Sequence, residues 1–295
     1  MIQDSPEVVQ ELSLTRACAV LKLNRGSCYR WGVGEAGCAR RGRPPVEDPA
    51  LVAATEAAVL AHAGYGRPRI TRHLRREGWQ VNPKRVQRVL REEGWLRVRK
   101  RRRVRTTQSE HDYPRYPNLL AERGWRQLTA PDQAWGADLT YIRLGEGFCY
   151  LAIVLDLFSR KLVGWNLSRN LDAGGALQAL EMALHQRQPG DRWIHHSDRG
   201  VQYACHDYVQ RLQAAGARIS MCATGEPKEN ALAERVIRTI KEEEVDLQEY
   251  RSFGEAQREI GRFIEEVYNR KRLHSALGYR PPSEFEEWFA ASLSG

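Results

Sequence analysis

Long apolar runs are missing from this 295-residue chain. No stretch approaches the roughly 18 consecutive apolar residues that a membrane-spanning helix requires, so no such span is expected. The first residues, Met1-Ile-Gln-Asp-Ser-Pro6, lack a basic segment followed by an apolar one, which argues against a secretory signal. Cysteine is sparse: Cys18, Cys28, Cys38, Cys149, Cys205 and Cys222. None forms a Cys-x-x-Cys pair, and an even count is no sign of disulfides in a cytosolic chain. Cys149, Cys205 and Cys222 lie in apolar stretches and are expected as small core residues. Acidic residues are outnumbered, 37 against 46 Lys and Arg, for a net charge of +9. Such an excess favours a polyanionic partner and says nothing about fold. The length suffices for one substantial core plus one or two small modules.

What is present divides the chain into pieces. Residues 13–31 suggest a short helix-turn-helix, with Thr15 capping a helix to Leu21 and Ser27-Cys-Tyr-Arg-Trp31 opening the next; a plain helical hairpin fits as well. Gly32 to Pro45 reads as a linker. Segment 1–43 therefore precedes a better-defined module at 44–105. There Asp48 with Pro49 has the form of an N-cap and first helical position, opening a helix through Ala61. Tyr65-Gly-Arg-Pro68 starts a second helix that Gly78 ends. Asn82 with Pro83 repeats the cap signal for a third, running to Glu93 before Gly94.

On the third helix Val86, Val89 and Leu90 form an apolar stripe, and Lys84, Arg88 and Arg91 at i, i+4 and i+7 form a basic one. A basic stripe is often only a solvated face. Here Arg69, Arg72, Arg75, Arg76 and Arg85 add charge of the same sign, which suits a recognition helix in a major groove, with Lys84, Arg85, Arg88 and Arg91 as contacts. Arg97-Val-Arg-Lys-Arg-Arg-Arg-Val-Arg105 follows, seven of nine residues basic. Such a block repels itself and suits an arm, centred on Arg101, Arg102 and Arg103, that settles on phosphates. Residues 106–130 link onward, with His111 to Asn118 as an extended tether.

Within 131–247 the pattern predicts strands at 134–144, 148–157 and 161–168, a helix at 172–186 and a strand at 192–197. A helix at 206–215 and a strand at 218–222 precede a last helix. The C-terminal extension, 248–295, holds an amphipathic helix over 252–270 (Phe253, Ile260, Phe263, Ile264, Val267) and another from Pro282 to Leu293.

Three carboxylates stand out. Asp138 lies inside an apolar, strand-like run, Ala134-Trp-Gly-Ala-Asp-Leu-Thr-Tyr-Ile142. Asp198 ends a second, Trp193-Ile-His-His-Ser-Asp198, before Arg199-Gly200 breaks the chain. Glu234 falls in the helical Asn230-Ala-Leu-Ala-Glu-Arg-Val-Ile-Arg-Thr-Ile-Lys241. Burying an unpaired carboxylate is costly, so Asp138 is either one half of a structural ion pair or a ligand. Two strand carboxylates and one helix carboxylate can surround hard cations, which take oxygen ligands. Arg238 and Lys241, at i+4 and i+7 from Glu234, project from the same helix face. That suits a helix gripping DNA, and equally an ordinary i, i+4 ion pair of Glu234 with Arg238. Asp156 also sits in an apolar strand, and His195 and His196 could be metal ligands, although flanking histidines on a strand are more often orienting or structural.

The motifs around these residues carry a resemblance. Trp135-Gly-Ala-Asp138-Leu-Thr-Tyr-Ile, Asp156-Leu-Phe-Ser-Arg160-Lys-Leu-Val-Gly-Trp165 and His196-Ser-Asp198-Arg-Gly-Val-Gln-Tyr203 resemble the integrase core of insertion-sequence transposases. Gly225-Glu-Pro-Lys-Glu-Asn230-Ala-Leu-Ala-Glu234 and Tyr268-Asn-Arg-Lys-Arg-Leu-His274-Ser-Ala-Leu-Gly-Tyr-Arg-Pro-Pro282 continue it in the family's order. The chain is similar to OrfB-type transposases of the IS-three family, within the DDE and retroviral-integrase superfamily.

That resemblance implies an α/β, RNase H-like catalytic core with N-terminal all-α helix-turn-helix DNA-binding modules and a C-terminal helical segment. It places Asp138 mid-strand at the sheet centre, Asp198 at the adjacent strand's end, and Asp156 outside the triad. It implies Asp138, Asp198 and Glu234 as catalytic residues and ligands of two Mg2+ ions per site, with Mn2+ as a substitute. Lys241 fills the family's basic position seven residues after the glutamate. The expected partners are double-stranded DNA (element terminal repeats and target), further copies of the chain on that DNA, and an upstream OrfA product as fusion or partner; the expected location is the cytoplasm, at the nucleoid. The His-His-Cys-Cys zinc module of retroviral integrases has no counterpart in the spacing here. Many relatives have Ser-Phe after the glutamate where this chain has Arg235-Val236, as other branches do. Two rival readings are a catalytically inactive DNA-binding protein or repressor that retains the fold, and a stand-alone RNase H-type nuclease.

Overall fold

The structure, a computed structural model, describes residues 18–22, 48–96, 113–145, 147–222 and 230–293. Of the first fifty residues it describes a helical turn at 18–20, with Cys18 buried, and the start of helix α1 (Pro49–Ala61). Most of the helix-turn-helix expected over 13–31, the linker after it, and the basic arm 97–105 lie outside the described residues.

The larger core is built on five strands: β1 (Ala134–Arg143), β2 (Phe148–Asp156), β3 (Leu162–Ser168), β4 (Ile194–Ser197) and β5 (Arg218–Met221). Their order is β3-β2-β1-β4-β5. The first three pair antiparallel, and β4 joins β1, and β5 joins β4, in parallel. This is the RNase H-like arrangement, and it puts β1 at the centre. The strands fall where the alternation of apolar residues predicts them, shortened by one or two residues at their ends.

Strand β2 explains why the sheet is a core rather than a surface. Leu151, Ile153 and Leu155 face one apolar cluster, while Ala152 and Val154 face the other, so both sides of the strand are covered and its sequence reads as one apolar run. On the second face lie α4 (Ala173–Gln186), capped by the Asp172 carboxylate accepting from Gly175 N, and α6 (His206–Ala214), which follows the short α5 (Val201–Ala204). On the first lie α7 (Ala231–Glu243) and α8 (Phe253–Arg262), contributing Val236, Ile237, Ile240 and Ile260. Helix α4 approaches β3 so closely that a methyl group on Gly164 would stand 2.1 Å from the Ala179 carbonyl oxygen. Of the three cysteines expected in the core, Cys149 and Cys222 are buried and Cys205 only partly so.

The helix expected across 252–270 is regular only to Arg262. From Phe263 to Tyr268 it widens into a π-helical turn, with Asn269 N–H donating to the Ile264 carbonyl. Asn269 then meets the edge of β3, its amide accepting from Leu162 N and donating to Leu162 O, each at 3.0 Å. No proline or glycine in that stretch signals the widening. After a short turn, α9 (Pro282–Leu293) closes the fold.

The N-terminal module consists of α1, α2 (Arg67–Arg76) and α3 (Pro83–Glu92), around Leu51, Ile70, Leu74, Val86, Val89 and Leu90. Asn82 caps α3 by accepting from Lys84 N at 2.9 Å. Leu273, from the far end of the chain, belongs to the same core. The Tyr65 hydroxyl accepts from Leu273 N at 2.7 Å and donates to Lys271 O at 3.4 Å, and Arg69 Nε donates to Leu273 O at 3.0 Å. Among the described residues, no helix is long and apolar enough to cross a membrane.

Candidate active site and DNA-binding surface

Asp138 lies on the central strand, opposite Ile153 of β2. Asp198 follows the last residue of β4, the strand paired with β1 on its other side. Glu234 lies in the first turn of α7. Buried Asn230, just before α7, ties that helix to β1 by donating its side-chain amide to Ala137 O at 3.1 Å, one residue from Asp138. The Asn230 side chain makes no cap hydrogen bond to the helix; it docks the helix onto the strand instead.

All three carboxylate residues are half-buried, so each keeps part of its surface open to a ligand. Loss of water holds the Asp138 carboxyl well above the usual range, and the charges of Asp198 and then Glu234 push it further; the Leu139 N–H, donating to Oδ1 at 2.9 Å, and the Lys241 ammonium oppose them. Burial also raises Asp198, against the Gly200 N–H that donates to it at 2.9 Å. Glu234 is raised by burial and by the Asp198 charge, with Arg238 working the other way. The three groups thus share one electrostatic neighbourhood. As they stand, no three His, Cys, Asp or Glu side chains among the described residues are close enough to hold one metal ion. The donor set is nonetheless that of a hard cation: carboxylates from three separate elements, whose mutual repulsion a positive charge relieves.

Of the cations on α7, Arg238 is exposed and Lys241 half-buried. Lys241 sits with Nζ 4.4 Å from the centre of the Tyr141 ring. Burial lowers its pKa, while the Asp246 and Asp138 charges raise it.

The remaining polar residues of these motifs are engaged elsewhere. Asp156 holds the β2–β3 turn, Oδ1 accepting from Phe158 N at 2.9 Å and Ser159 N at 2.7 Å, and Oδ2 from Asp132 N at 2.6 Å. His196 meets Ser220 Oγ through Nδ1 at 2.8 Å and Cys222 Sγ through Nε2 at 3.3 Å. His195 Nε2 meets the Tyr208 hydroxyl at 2.9 Å, and burial pushes the ring's pKa down to about 3, so it is neutral.

On α3 the apolar stripe faces the core, while Lys84 and Arg91 are exposed and Arg85 and Arg88 half-buried. Arg88 Nε is 3.6 Å from Glu92. The arginines of α2 are placed otherwise than their charge alone suggests. Arg69 bonds Leu273 O, Arg75 donates to Val81 O, and Arg76 grips Glu284 at 2.6 and 3.2 Å. Arg72 lies 4.9 Å from the centre of the Tyr279 ring. They hold the module together and seat it on the C-terminal segment. Arg101, Arg102 and Arg103 lie outside the described residues.

Residues 129–227 and 215–282 match the integrase core domain, and residues 47–103 match an HTH-like domain. The transposase for insertion sequence element IS904 of Lactococcus lactis is 34% identical over 84% of this chain and 98% of its own. The IS629 transposase of Shigella sonnei is 36% identical over 79% of this chain and 77% of its own. Among solved structures, the simian T-cell lymphotropic virus intasome resembles 79% of this chain and 74% of its own at TM-score 0.43 and 13% identity. The HTLV-2 integrase catalytic core in complex with magnesium resembles 53% of this chain and 97% of its own, at TM-score 0.42 and 13% identity. The strand order, not these distant likenesses, carries the fold. The InsF transposase of IS3A from Escherichia coli K12 is 34% identical over 94% of both chains, and with it the family is settled: this chain belongs to the IS-three family of insertion-sequence transposases, DNA-binding enzymes with an integrase catalytic core.

Proposed function

We propose that the chain cuts phosphodiester bonds at the ends of a mobile element and joins the freed ends to target DNA, with Asp138, Asp198 and Glu234 as its catalytic, metal-holding carboxylates. The observation that carries this reading is their electrostatic convergence: three half-buried carboxylates from β1, the end of β4 and α7, each raised in pKa, with Asp138 feeling both of the others. A structural ion pair would instead lower the carboxylate's pKa. The family depends on a divalent metal; we assign two Mg2+ ions, with Mn2+ as a substitute. Asp138, Asp198 and Glu234 would hold them. Bound there, such ions supply charge to the attacking and leaving oxygens of an in-line displacement.

In the first reaction water's oxygen bonds to phosphorus while the 3′ oxygen leaves and takes up a proton. In the second that 3′-hydroxyl gives up its proton and bonds to a target phosphorus, displacing the target's own 3′ oxygen, which takes up a proton. Neither step needs a covalent bond to the protein. Lys241 and Arg238 lie on the same helix as Glu234 and supply cations for the DNA backbone. Lys84, Arg85, Arg88 and Arg91 of α3 are assigned to the element ends, and Arg101, Arg102 and Arg103 to phosphates of any sequence. The division into 1–43, 44–105, 106–130, 131–247 and 248–295 follows these roles. Joining two ends calls for at least two copies on DNA. An OrfA product, fused or separate, would add a further DNA-binding element, and the site of action is the nucleoid.

The test is cleavage of element-end DNA by Asp138→Asn, Asp198→Asn and Glu234→Gln, beside binding of the same DNA. Each variant should lose cutting while retaining end binding. A variant cutting within tenfold of the parent removes that residue from the site.

A further inference from the structure

Next to the carboxylates lies a tyrosine whose hydroxyl has no partner among the described residues. Tyr203 ends the segment that begins at Asp198, on the short helix α5, and is 2% exposed. Its ring packs edge-on against Tyr208 at 5.4 Å and lies 6.5 Å from His195. The two tyrosines are a matched pair with opposite outcomes. The Tyr208 hydroxyl is satisfied by His195 Nε2, whereas the Tyr203 hydroxyl is buried and has no partner among the described residues. A buried hydroxyl without a partner is costly, and phenylalanine would fill the same space without that cost.

The ring of Tyr203 lies beside the candidate site. A methyl group placed on Gly200 would lie 3.0 Å from Asp198 Oδ1 and 3.7 Å from Cδ2 of Tyr203, so ring and carboxylate flank the same glycine. Burial holds the Tyr203 phenol far above its usual range, and among the charges that add to this, Asp138 weighs more than Asp198. Asp138 Oδ1 accepts the Leu139 N–H, and its other oxygen has no donor among the described residues, which leaves it open to one.

We propose that Tyr203 is a positioning residue of the active site, its hydroxyl turning to donate to the Asp138 carboxylate when that carboxylate takes metal and so fixing the carboxylate's orientation. This rests on the reading of Asp138 as a ligand. Groups that orient a ligand in this way typically carry 10–100-fold in metal affinity.

The experiment uses the full chain without DNA, titrated with Mn2+ alone and followed by its melting temperature. Four proteins are compared: the parent, Tyr203→Phe, Tyr208→Phe and Asp138→Asn. Tyr203→Phe should melt no lower than the parent in the absence of metal, yet need about tenfold more Mn2+ for half of the metal-induced shift. Tyr208→Phe should do the reverse, melting roughly 2–4 °C lower with its Mn2+ midpoint unchanged. A Tyr203→Phe midpoint within twofold of the parent overturns the proposal. So does a fall in metal-free melting temperature like that of Tyr208→Phe, because the hydroxyl would then have a purely structural partner. If Asp138→Asn keeps the parent's Mn2+ response, the reading of Asp138 as a ligand fails, and the role of Tyr203 with it. If Asp138→Asn abolishes the response and Tyr203→Phe leaves it intact, only the tyrosine's role fails.

Discussion

Arg272 grips Glu243 with two nitrogens, Nε at 2.7 Å and Nη2 at 2.8 Å, each on its own carboxylate oxygen. Both side chains are almost out of solvent, at 3% and 7% exposure. Glu243 ends α7, the helix that carries Glu234, so this pair anchors the far end of that helix as Asn230 anchors the near one.

Removing Arg272 leaves buried Glu243 with only the longer contact to Arg69 at 4.0 Å, and breaking a buried pair in this way costs up to about 3–5 kcal/mol, whereas removing both partners at similar volume is far milder. Arg272→Met should therefore destabilise the fold by about that amount, and the double variant Arg272→Met with Glu243→Leu should recover much of the loss. Urea unfolding of the two proteins decides the matter. A single variant within about 1 kcal/mol of the parent would show that the pair does not hold the helix.

Asp156 should prove dispensable for chemistry and important for stability. Asp156→Asn ought to cut DNA at a rate within a few-fold of the parent, since its carboxylate serves the 156–159 turn and Asp132 N. Burial raises its pKa from 3.8 to about 6. A carboxyl raised on folding contributes stability that is full below about pH 4 and is lost as pH rises through about 6. The stability difference between the parent and Asp156→Asn should thus narrow from pH 4 to pH 7, by up to about 1.4 kcal/mol per pH unit. A constant gap across that range would contradict the assignment.

Gly164 is required by close approach alone. A methyl group there would meet the Ala179 carbonyl oxygen at 2.1 Å and Ala183 Cβ at 2.9 Å, forcing α4 off the sheet. Gly164→Ala should cost about 3 kcal/mol or more. Gly190→Ala is the control, because a methyl group there has nothing within 4 Å. Equal thermal unfolding of the two variants would defeat the argument.

The two basic segments should separate affinity from discrimination. Neutralising the arm at 97–105 ought to weaken binding to every duplex alike and flatten the salt dependence, since each phosphate contact contributes a slope of about −0.9 in log K against log salt. Substituting Lys84, Arg85 or Arg88 should instead narrow the gap between element ends and random DNA, by about 1–3 kcal/mol for a side chain that reads a base. Competition binding at two salt concentrations distinguishes them, and the opposite pattern would mean the roles are exchanged.

Much of this was legible in the residues because it is local. Asn82 followed by Pro83 announces the start of α3, and the apolar runs around Asp138 and before Asp198 announce their strands. The carboxylates themselves are conspicuous because charge is rare inside such runs. What the pattern does not reveal depends on partners far along the chain. The α2 arginines read as a DNA face until Leu273, Tyr279 and Glu284 are seen against them. The widened turn at 263–268 has no local signal, because its consequence is to set Asn269 against Leu162, more than a hundred residues earlier. Tyr203 hides for a related reason: nothing in a sequence tells a satisfied buried hydroxyl from an unsatisfied one.

The bond from Leu273 N to the Tyr65 hydroxyl spans 208 positions, and its consequence lies in the time of synthesis. At the usual rate of about 5–20 residues per second, roughly 10–40 s separate the emergence of these two residues from the ribosome. During that interval the nascent helical module has Ile70 and Leu74 in place but lacks the leucine that completes their core. A chain interrupted before residue 273 would keep that apolar surface uncovered, which makes such a fragment a natural client for chaperones and proteases.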